Sequence, residues 1–452
     1  MPGTSPRPEA GARRRAAVLT VALGLVAALA GGCTTTRPAP AEAAYGVPIA
    51  INTPQGVRAK QTMDMLNSDW PIGEVGIRTL AAPEVVEHVG VTLDRMWWDR
   101  PFTVTDVEIG AGSATLHVTT SYGVEQTIEL RTDDASMVDR FAVTLVEPEI
   151  TKWSDVDDAL TASGARYSYQ VAKVVDGRCE KVAGSNTDLS LPLASIFKLY
   201  VLLAVAEAVK TGDADWNDTL TITAEAKAVG SSGFDQYPPG ATISVRDAAQ
   251  QMISASDNMA TDLLIAYLGP GAVERALVTA GHHDPASMTP FPTMHELFSV
   301  GWGQPDVREQ WKEASPQKRA QLLQQVKSRP YEPDPKRTHE PASGIGAEWY
   351  GSAADICRLH AALQKSAVGA AQPVKDILSA IPGIDLNRDT WPYIGAKAGN
   401  LPGDLTFSWY AVDRTGQPWV VSMQSNWPKY RSQTAAAWLL SMAEQMFGLV
   451  EP

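Results

Sequence analysis

Residues 195–204 read Ser195-Ile-Phe-Lys-Leu-Tyr-Val-Leu-Leu-Ala204, a serine and a lysine three positions apart followed by an apolar run. On a helix, residues i and i+3 lie on one face, so the pattern places the Lys198 amine beside the Ser195 hydroxyl. A serine is a weak nucleophile until a base takes its proton. The apolar run after Lys198 predicts a buried helix, and burial lowers the pKa of a lysine toward that of a useful base. Taken alone, the pattern also fits an ordinary helical turn with an incidental lysine.

Two later segments strengthen the first interpretation. Ser256-Asp257-Asn258 and Lys397-Ala398-Gly399 follow in this order. Together, S-x-x-K, S-D-N and K-T-G are the signature of class A β-lactamases and penicillin-binding proteins. The chain therefore resembles this serine hydrolase superfamily over residues 151–452. The third motif departs from the family, because Ala398 stands where Thr or Ser is usual.

The resemblance implies a role for each motif residue in acyl transfer. Ser195 would attack a carbonyl carbon and become acylated, and Lys198 would accept its proton. Ser256 would relay a proton toward the departing nitrogen. Asn258 would hydrogen-bond the substrate amide and steady Lys198. Lys397 would supply positive charge beside Ser256 and attract a substrate carboxylate.

The end of the third motif is expected to hold the substrate. Gly399 would let the substrate backbone approach the strand closely, because it has no side chain. By analogy with the family, the backbone N–H groups of Ser195 and Asn400 form the oxyanion hole, where one donor is often worth about 3 kcal/mol. Ala398 offers no hydroxyl to a substrate carboxylate.

Deacylation is the step that the sequence supports least. Efficient class A β-lactamases use a glutamate on a loop after the second motif, and the matching stretch here runs from Ser287 to Glu296. Phe291 aligns with that glutamate. Glu296 is the candidate deacylating base, and the alternative is a surface helix carboxylate. We therefore expect weak β-lactamase turnover.

The first residues have the pattern of an export signal. Residues 1–32 contain a basic run, Arg13-Arg14-Arg15, followed by an apolar stretch too short to span a bilayer. Cys33 then follows Gly31-Gly32, as in a bacterial lipobox, which predicts lipidation of Cys33; simple cleavage nearby is the alternative. Residues 33–44 predict a tether. We expect an extracytoplasmic protein that is lipid-anchored to the cell membrane.

Charge limits the possible partners. The formal net charge is −13, and it becomes about −16 without the four Arg and one Glu of residues 1–32. This argues against nucleic acid as a partner and against adhesion to anionic lipid by charge alone. We expect a small-molecule acyl substrate, either a β-lactam or a cell-wall peptide, and neither a cofactor nor a metal.

Residues 45–150 are predicted to form an accessory domain of their own. Two helical patterns, 57–70 and 83–98, precede four segments of alternating polarity, which is typical of a small α+β domain. The order resembles the steroid isomerase and nuclear transport factor 2 folds. It also resembles the N-terminal domain of the actinobacterial ORF 12 protein of clavulanic-acid clusters. Trp97 and Trp98 are interpreted as packing residues, with a ligand pocket as the alternative.

Residues 151–452 are predicted to be the hydrolase domain. The resemblance implies an α+β fold of the class A β-lactamase type, with helices on both faces of a five-stranded antiparallel sheet and an all-helical subdomain. The interval between the second and third motifs is long, and residues 301–343 are interpreted as a solvated insertion. One charged helix is expected there, over residues 309–327. A flap over the active site is the alternative for this insertion.

Two further groups are interpreted as structural. Cys179 and Cys357 could pair, but the apolar helical pattern around Cys357 favours a buried thiol. His282-His283-Asp284 is interpreted as a solvated turn. Neither group is expected to bind zinc.

These observations favour an exported serine hydrolase that forms an acyl-enzyme on β-lactam-like or cell-wall peptide substrates. A D,D-peptidase, or an esterase on other acyl substrates, is the second enzymatic hypothesis. A third hypothesis is a binder or sensor that is acylated once by a β-lactam. The last is a purely structural envelope lipoprotein, which would not label at Ser195.

Overall fold

The computed structural model describes residues 46–450, so the predicted signal segment, the tether and Cys33 lie outside the described residues. The N-terminal elements are α1 (Pro54–Leu66), α2 (Glu74–Leu80), α3 (Val86–Trp97), β1 (Thr103–Ile109), β2 (Ser113–Thr119), β3 (Glu125–Thr132) and β4 (Val138–Leu145). The first half of the remainder contains α4 (Trp153–Ala162), β5 (Arg166–Val175), β6 (Arg178–Ser185), β7 (Leu191–Pro192), α5 (Lys198–Thr211), β8 (Thr219–Thr221), α6 (Ala224–Ala228), β9 (Thr242–Ser244), α7 (Val245–Ser254), α8 (Asn258–Leu268) and α9 (Ala272–Ala280). The second half contains α10 (Met294–Trp302), α11 (Arg308–Lys312), α12 (Pro316–Lys327), β10 (Tyr350–Gly351), α13 (Ala353–Ser366), α14 (Pro373–Ser379), β11 (Tyr393–Leu401), β12 (Asp404–Val412), β13 (Pro418–Asn426) and α15 (Gln433–Gly448).

The N-terminal part has its helices first and its sheet after them, as predicted. α1 begins at Pro54 because the Thr53 side chain accepts the Gly56 N–H and proline suits the first turn. The four strands form an antiparallel meander in the order β1-β2-β3-β4. Every second residue of β2 is buried, which turns one face of the sheet toward the helices. Helix α2 was not predicted, because its few residues bury only Leu80.

The predicted boundary at residue 150 stays a prediction. Tyr122 and Val124, in the β2–β3 loop, pack into the core of the following part of the chain. The Asp99 carboxylate also accepts hydrogen bonds from the backbone N–H and the hydroxyl of Ser432. The two parts of the chain therefore contact each other through buried residues.

The second part has the predicted fold class. Its five strands form one antiparallel sheet in the order β11-β12-β13-β5-β6. α4 and α15 pack on one face of this sheet, with Val171 in their core. α13 packs on the other face, where the next residue, Ala172, is buried. This alternation is what a strand between two helical layers requires.

An all-helical subdomain lies beside the sheet. Ten of the 14 residues of α5 are buried, so the helix is apolar nearly all round and runs through the core. It packs against α9 and α13, and it also contacts α8 and α7. The Ser256 motif lies where the chain passes from the carboxyl end of α7 to the start of α8.

The insertion, interpreted as solvated and as carrying one charged helix, differs from its prediction both in its burial and in the number of its helices. Two helices, α11 and α12, replace the single helix expected over residues 309–327. The chain breaks at Ser315-Pro316, where the Ser315 hydroxyl accepts the Lys318 N–H and proline starts the new helix. α12 buries Leu322 and Leu323 against the helical core.

Two structural interpretations were wrong. Cys179 and Cys357 form a disulfide between β6 and α13, where a buried thiol was expected. The apolar pattern of α13 was real, but it did not show that β6 brings a second cysteine to the same place. His282, expected in a solvated turn, is buried, and its Nε2 atom lies 3.0 Å from the Tyr350 carbonyl oxygen.

Trp97 and Trp98 both pack, as interpreted. The Trp97 indole is buried and donates to the Ser68 carbonyl oxygen. The Trp98 ring stacks on His339 of the insertion, with 4.1 Å between centroids, and meets Tyr430 edge-on. The insertion therefore reaches the N-terminal part of the chain.

Within residues 46–450, no single helix is long and apolar enough to cross a bilayer. Helices α8 and α9 reach that length and apolarity only together, as a pair bent by 97°.

Candidate active site

The nucleophile candidate lies on a short turn that is held on several sides. Ser195 is half-buried in the 3-10 turn Ala194–Phe197, directly before α5. The preceding residue, Ala194, has a φ of 42°, in the left-handed region that residues other than glycine seldom occupy. The Leu193 N–H donates to the Trp349 carbonyl oxygen at 2.7 Å. The Trp349 ring stacks on Phe197 at 3.8 Å, so the turn is fixed by neighbours from distant sequence.

Lys198 is fully buried, and its amine faces the second motif. Lys198 Nζ donates to the Ser256 carbonyl oxygen at 2.5 Å, to Ser256 Oγ at 3.2 Å and to Asn258 Oδ1 at 2.7 Å. Within residues 46–450, its hydrogen bonds do not reach the Ser195 hydroxyl. Burial lowers the pKa of Lys198 to about 7, while the negative charges of Asp257 and Asp262 oppose that shift. A large neutral fraction of the amine is therefore present near neutral pH.

Ser256 lies between two lysines. Its backbone φ is 56°, which again places a non-glycine residue in the left-handed region. Lys397 Nζ donates to Ser256 Oγ at 2.9 Å, so this hydroxyl accepts from both lysines. Burial and the nearby Lys198 charge hold the pKa of Lys397 well below its usual range. Two buried amines that share one hydroxyl disfavour double protonation, so this arrangement is able to pass a proton through Ser256.

Asp257 fixes the loop that carries the second motif. It is the N-cap of α8, and its Oδ1 atom accepts the Ala260 N–H. Its Oδ2 atom accepts from the Ser231 hydroxyl at 2.6 Å and from the Ser232 N–H at 2.8 Å. We predicted no role for Asp257, although an Asp immediately before a helical pattern is an N-cap signal.

The third motif lies against the nucleophile turn. Gly399 of β11 is buried, and a Cβ there would lie 2.6 Å from the Ser195 backbone nitrogen and 2.9 Å from the Leu193 carbonyl oxygen. The glycine was predicted to make room for substrate; the structure shows that it also makes room for the chain's own turn. Ala398 and Asn400 are exposed on either side of it.

The strand and the turn are also joined by hydrogen bonds. The Thr406 hydroxyl of β12 lies 2.9 Å from the Leu193 carbonyl oxygen and 3.2 Å from the Gly399 carbonyl oxygen. Lys397 Nζ donates to the carbonyl oxygen of its neighbour Ala398 at 2.6 Å. The structure thus brings Ser195, Lys198, Ser256, Asn258 and the third motif into one cluster.

Glu296 is placed differently from the other candidates. It lies in the first turn of α10, and its Oε2 atom accepts the Thr293 N–H at 2.8 Å while the Thr293 hydroxyl accepts the Glu296 N–H. This reciprocal capping box satisfies the start of the helix. The placement favours the helix-carboxylate alternative, although the side chain is buried and not on the surface. Phe291 packs against Phe197, with 5.8 Å between ring centroids.

A buried acid near Lys198 was missed by the sequence analysis. Asp262 lies one turn after Asn258 on α8, and its two oxygens accept the backbone N–H groups of Met294 and His295. Burial raises the pKa of Asp262 to about 7, and these N–H donors oppose the shift. The i, i+4 spacing from Asn258 was the available signal.

Comparison with known proteins places the two parts of the chain in different families. Residues 152–337 match the beta-lactamase enzyme family, and residues 50–138 match the family described as ORF 12 gene product N-terminal.

Two curated proteins match shorter stretches. The beta-lactamase regulatory protein BlaB of Streptomyces cacaoi is 28% identical over 144 residues, covering 32% of this chain and 44% of that protein. Beta-lactamase VEB-1 of Pseudomonas aeruginosa is 22% identical over 129 residues, covering 28% of this chain and 42% of that protein. Each match therefore spans less than half of the relative's length.

Among solved structures, a beta-lactamase from Sphaerobacter thermophilus DSM 20745 aligns with a TM-score of 0.47 and 19% identity. That alignment covers 67% of this chain and 100% of the other.

Proposed function

Given that residues 152–337 belong to the beta-lactamase enzyme family and residues 50–138 carry an ORF 12-type N-terminal domain, we propose that the protein is an exported serine hydrolase acylated at Ser195. The proposed substrates are β-lactams or cell-wall peptides, and the proposed turnover of β-lactams is weak. The observation that carries the proposal is the convergence of Lys198 and Lys397 on Ser256 Oγ, beside the turn that presents Ser195.

Acylation would proceed through the two lysines and Ser256. Ser195 Oγ attacks the carbonyl carbon as its proton passes to the neutral amine of Lys198. The C–N bond of the amide or lactam then breaks, and Ser256 donates its proton to the departing nitrogen. Ser256 regains a proton from the Lys198 ammonium, so the products are an ester on Ser195, a protonated amine nitrogen and a neutral Lys198.

The transition state needs two N–H donors for the developing oxyanion. The family pattern assigns them to the backbone of Ser195 and Asn400, on the two segments that meet at Gly399. Because these segments are in van der Waals contact, the spacing of the donors is set before substrate binds. Lys397 and the exposed faces of Ala398 and Asn400 would contact the substrate.

Slow deacylation follows from the surroundings of the candidate base. The Glu296 carboxylate is engaged in its own helix cap, and Phe291 brings an aromatic ring to the nucleophile turn. Asp262 is engaged by two backbone N–H groups. Neither of these two carboxyl groups is therefore free to act as the base on a water that attacks the acyl-enzyme.

Slow deacylation also supports a second candidate function, a β-lactam sensor that is acylated once. The similarity to a protein named beta-lactamase regulatory protein adds to this candidate. A D,D-peptidase or an esterase on other acyl substrates remains the enzymatic alternative. Turnover separates these functions, because an enzyme regenerates free Ser195 and a sensor does not.

The proposal also covers where the protein is located and what its first domain does. The Cys33 motif supports a lipid anchor outside the cytoplasm. Residues 45–150 are proposed to tune access to the site, and the stacking of Trp98 on His339 of the insertion supports that role.

The proposal is tested by exposing the protein and its Ser195→Ala variant to a fluorescent penicillin and a serine-directed phosphonate. Labelling should require Ser195. Equal labelling of the variant would remove Ser195 from the proposed function, and absence of labelling in both would favour a structural envelope protein.

A further inference from the structure

Two acidic side chains that belong to none of the three motifs, Glu348 and Asp404, are buried against each other. Glu348 lies just before β10, and Asp404 opens β12. Only 5% of Glu348 and 1% of Asp404 is exposed. Acidic side chains are seldom buried to this extent unless they are paired, so this pair calls for a physical explanation.

The polar groups around the pair are few. Asn426 donates to Asp404 Oδ1 at 2.5 Å and to the Ser343 hydroxyl at 2.9 Å. The Ser343 hydroxyl also acts on the Asp404 carboxyl group and lowers its pKa. Among the described residues, Asp404 Oδ2 and both Glu348 oxygens have no hydrogen-bond donor from outside the pair in good geometry. The remaining titratable neighbour is Tyr350.

The Tyr350 phenol is the nearest group that feels both signs of charge: Glu348 and Asp404 raise its pKa, and Arg319 and Arg166 lower it. The carboxyl groups of Glu348 and Asp404 act on each other, and neither forms an ion pair among the described residues. Two carboxylates that face each other without a cation cannot both be ionised at low cost, so one proton is held between them. Burial raises the pKa of Asp404 to about 8 and that of Glu348 well above its usual range.

The pair joins two segments that hold the nucleophile turn. Glu348 immediately precedes Trp349, whose ring stacks on Phe197 and whose carbonyl oxygen accepts the Leu193 N–H. Asp404 pairs with Leu401 across the hairpin between β11 and β12.

The hairpin contacts the turn from its other side. β11 carries the third motif, and Thr406 of β12 bonds the Leu193 carbonyl oxygen. Leu193 is therefore held through its N–H by one segment and through its carbonyl by the other.

We propose that Glu348 and Asp404 are positioning residues, a proton-sharing carboxyl pair that clamps the segment before β10 to the β11–β12 hairpin and so fixes the nucleophile turn. The inference rests on the proposed acylation at Ser195 for its functional consequence, but the clamp itself is a property of the fold. Loss of the shared proton places two negative charges in one buried site, so the two segments separate and the turn loses its support.

The sign of the pH dependence follows from the raised pKa. The folded protein keeps a proton that an unfolded Asp releases near its ordinary pKa of 3.8, so the pair contributes most stability in acid. That contribution falls as the pH rises and is lost once the pH passes about 8. Labelling of Ser195 should therefore fall by about tenfold per pH unit on the alkaline side.

The experiment compares the full chain with its Glu348→Gln and Asp404→Asn variants. In either variant an amide donates permanently to the remaining carboxyl group, which replaces the shared proton. Glu332→Gln, at an exposed position of the insertion, is the matched control. The measurements are hydrogen exchange of the peptide that contains the Leu193 amide and the pH profile of phosphonate labelling.

We expect the parent and the control to lose protection of this peptide and labelling rate above pH about 8, the pKa of Asp404, while both amide variants keep them. If Glu348→Gln and Asp404→Asn lose as much amide protection and labelling rate at alkaline pH as the parent does, the proposal is overturned. Protection that requires added Ca²⁺ and disappears on chelation would overturn it too, because a metal ion would then join the carboxylates. If the parent never labels, the proposed function fails, and hydrogen exchange still decides whether the clamp exists.

Discussion

Replacing Gly399 by alanine is expected to damage the nucleophile turn more than it damages the fold. The new Cβ would lie 2.6 Å from both the Ser195 nitrogen and Thr406 Oγ1, and 2.9 Å from the Leu193 oxygen. Ordinary contact begins at 3.4 Å, so the neighbours would have to retreat by 0.5 to 0.8 Å. Two of the three contacts are backbone atoms of the turn, which cannot rotate away.

The magnitude follows from two effects. Overpacking a buried site costs about 1–3 kcal/mol of folding free energy. A displacement near 1 Å at the reacting group can cost about 100-fold in rate, so labelling of Ser195 should slow by about 10- to 100-fold. Gly395→Ala is the matched control in β11, because its Cβ would meet the Tyr393 and Leu378 side chains at 3.0 and 3.1 Å, away from the turn.

The assay is the second-order rate of phosphonate labelling, with the free energy of unfolding measured in urea for both variants. Gly395→Ala should lose stability and keep its labelling rate. If Gly399→Ala labels at the parent rate, the close contact between β11 and the turn does not exist, and the reasoning fails. If both variants slow equally, the effect belongs to the sheet as a whole.

Three further predictions follow from the site and the domains. Labelling of Ser195 should rise as the pH rises through about 7, because Lys198 then loses its proton. The Lys198→Ala variant should lack this rise and should label about 100-fold more slowly, or slower still. If the variant keeps the pH profile of the parent, Lys198 is not the base. Residues 151–452 expressed alone should fold with reduced stability and still label, and a folded fragment that cannot label would mean that the first domain contributes to the active site. Cys33→Ser should release the protein from membranes or leave it unprocessed, and a variant that fractionates like its parent would contradict the lipid anchor.

The sequence predicted what local spacing can reveal. The turn and helix at Ser195 and Lys198 and the strand after Lys397 depend on neighbours along the chain, and the structure has them in those places. The hydrogen bond expected between the Lys198 amine and the Ser195 hydroxyl is not found within residues 46–450, where the amine donates to Ser256 and Asn258. The fold class followed from the order of the motifs, because their family resemblance fixes which elements must meet.

The missed features depend on residues far apart in the sequence. The disulfide joins Cys179 to Cys357 across 178 positions, and the burial of His282 depends on the position of the Tyr350 carbonyl. A pattern among neighbouring residues does not indicate which distant segments of the chain come into contact. The capping role of Glu296 was readable from the sequence, because Thr293 precedes it by three residues.

Time-resolved intact-mass analysis during exposure to penicillin tests the central claim most directly, with peptide mapping of the adduct. The account predicts one covalent adduct of the mass of the intact β-lactam, located on Ser195 and absent from Ser195→Ala, that persists for many minutes after free penicillin is removed. A persistent adduct on another residue, or no adduct on a folded protein at any pH, would contradict the claim that Ser195 is the acylated nucleophile. An adduct on Ser195 that hydrolyses within seconds would contradict slow deacylation and make Glu296→Gln the next variant to measure.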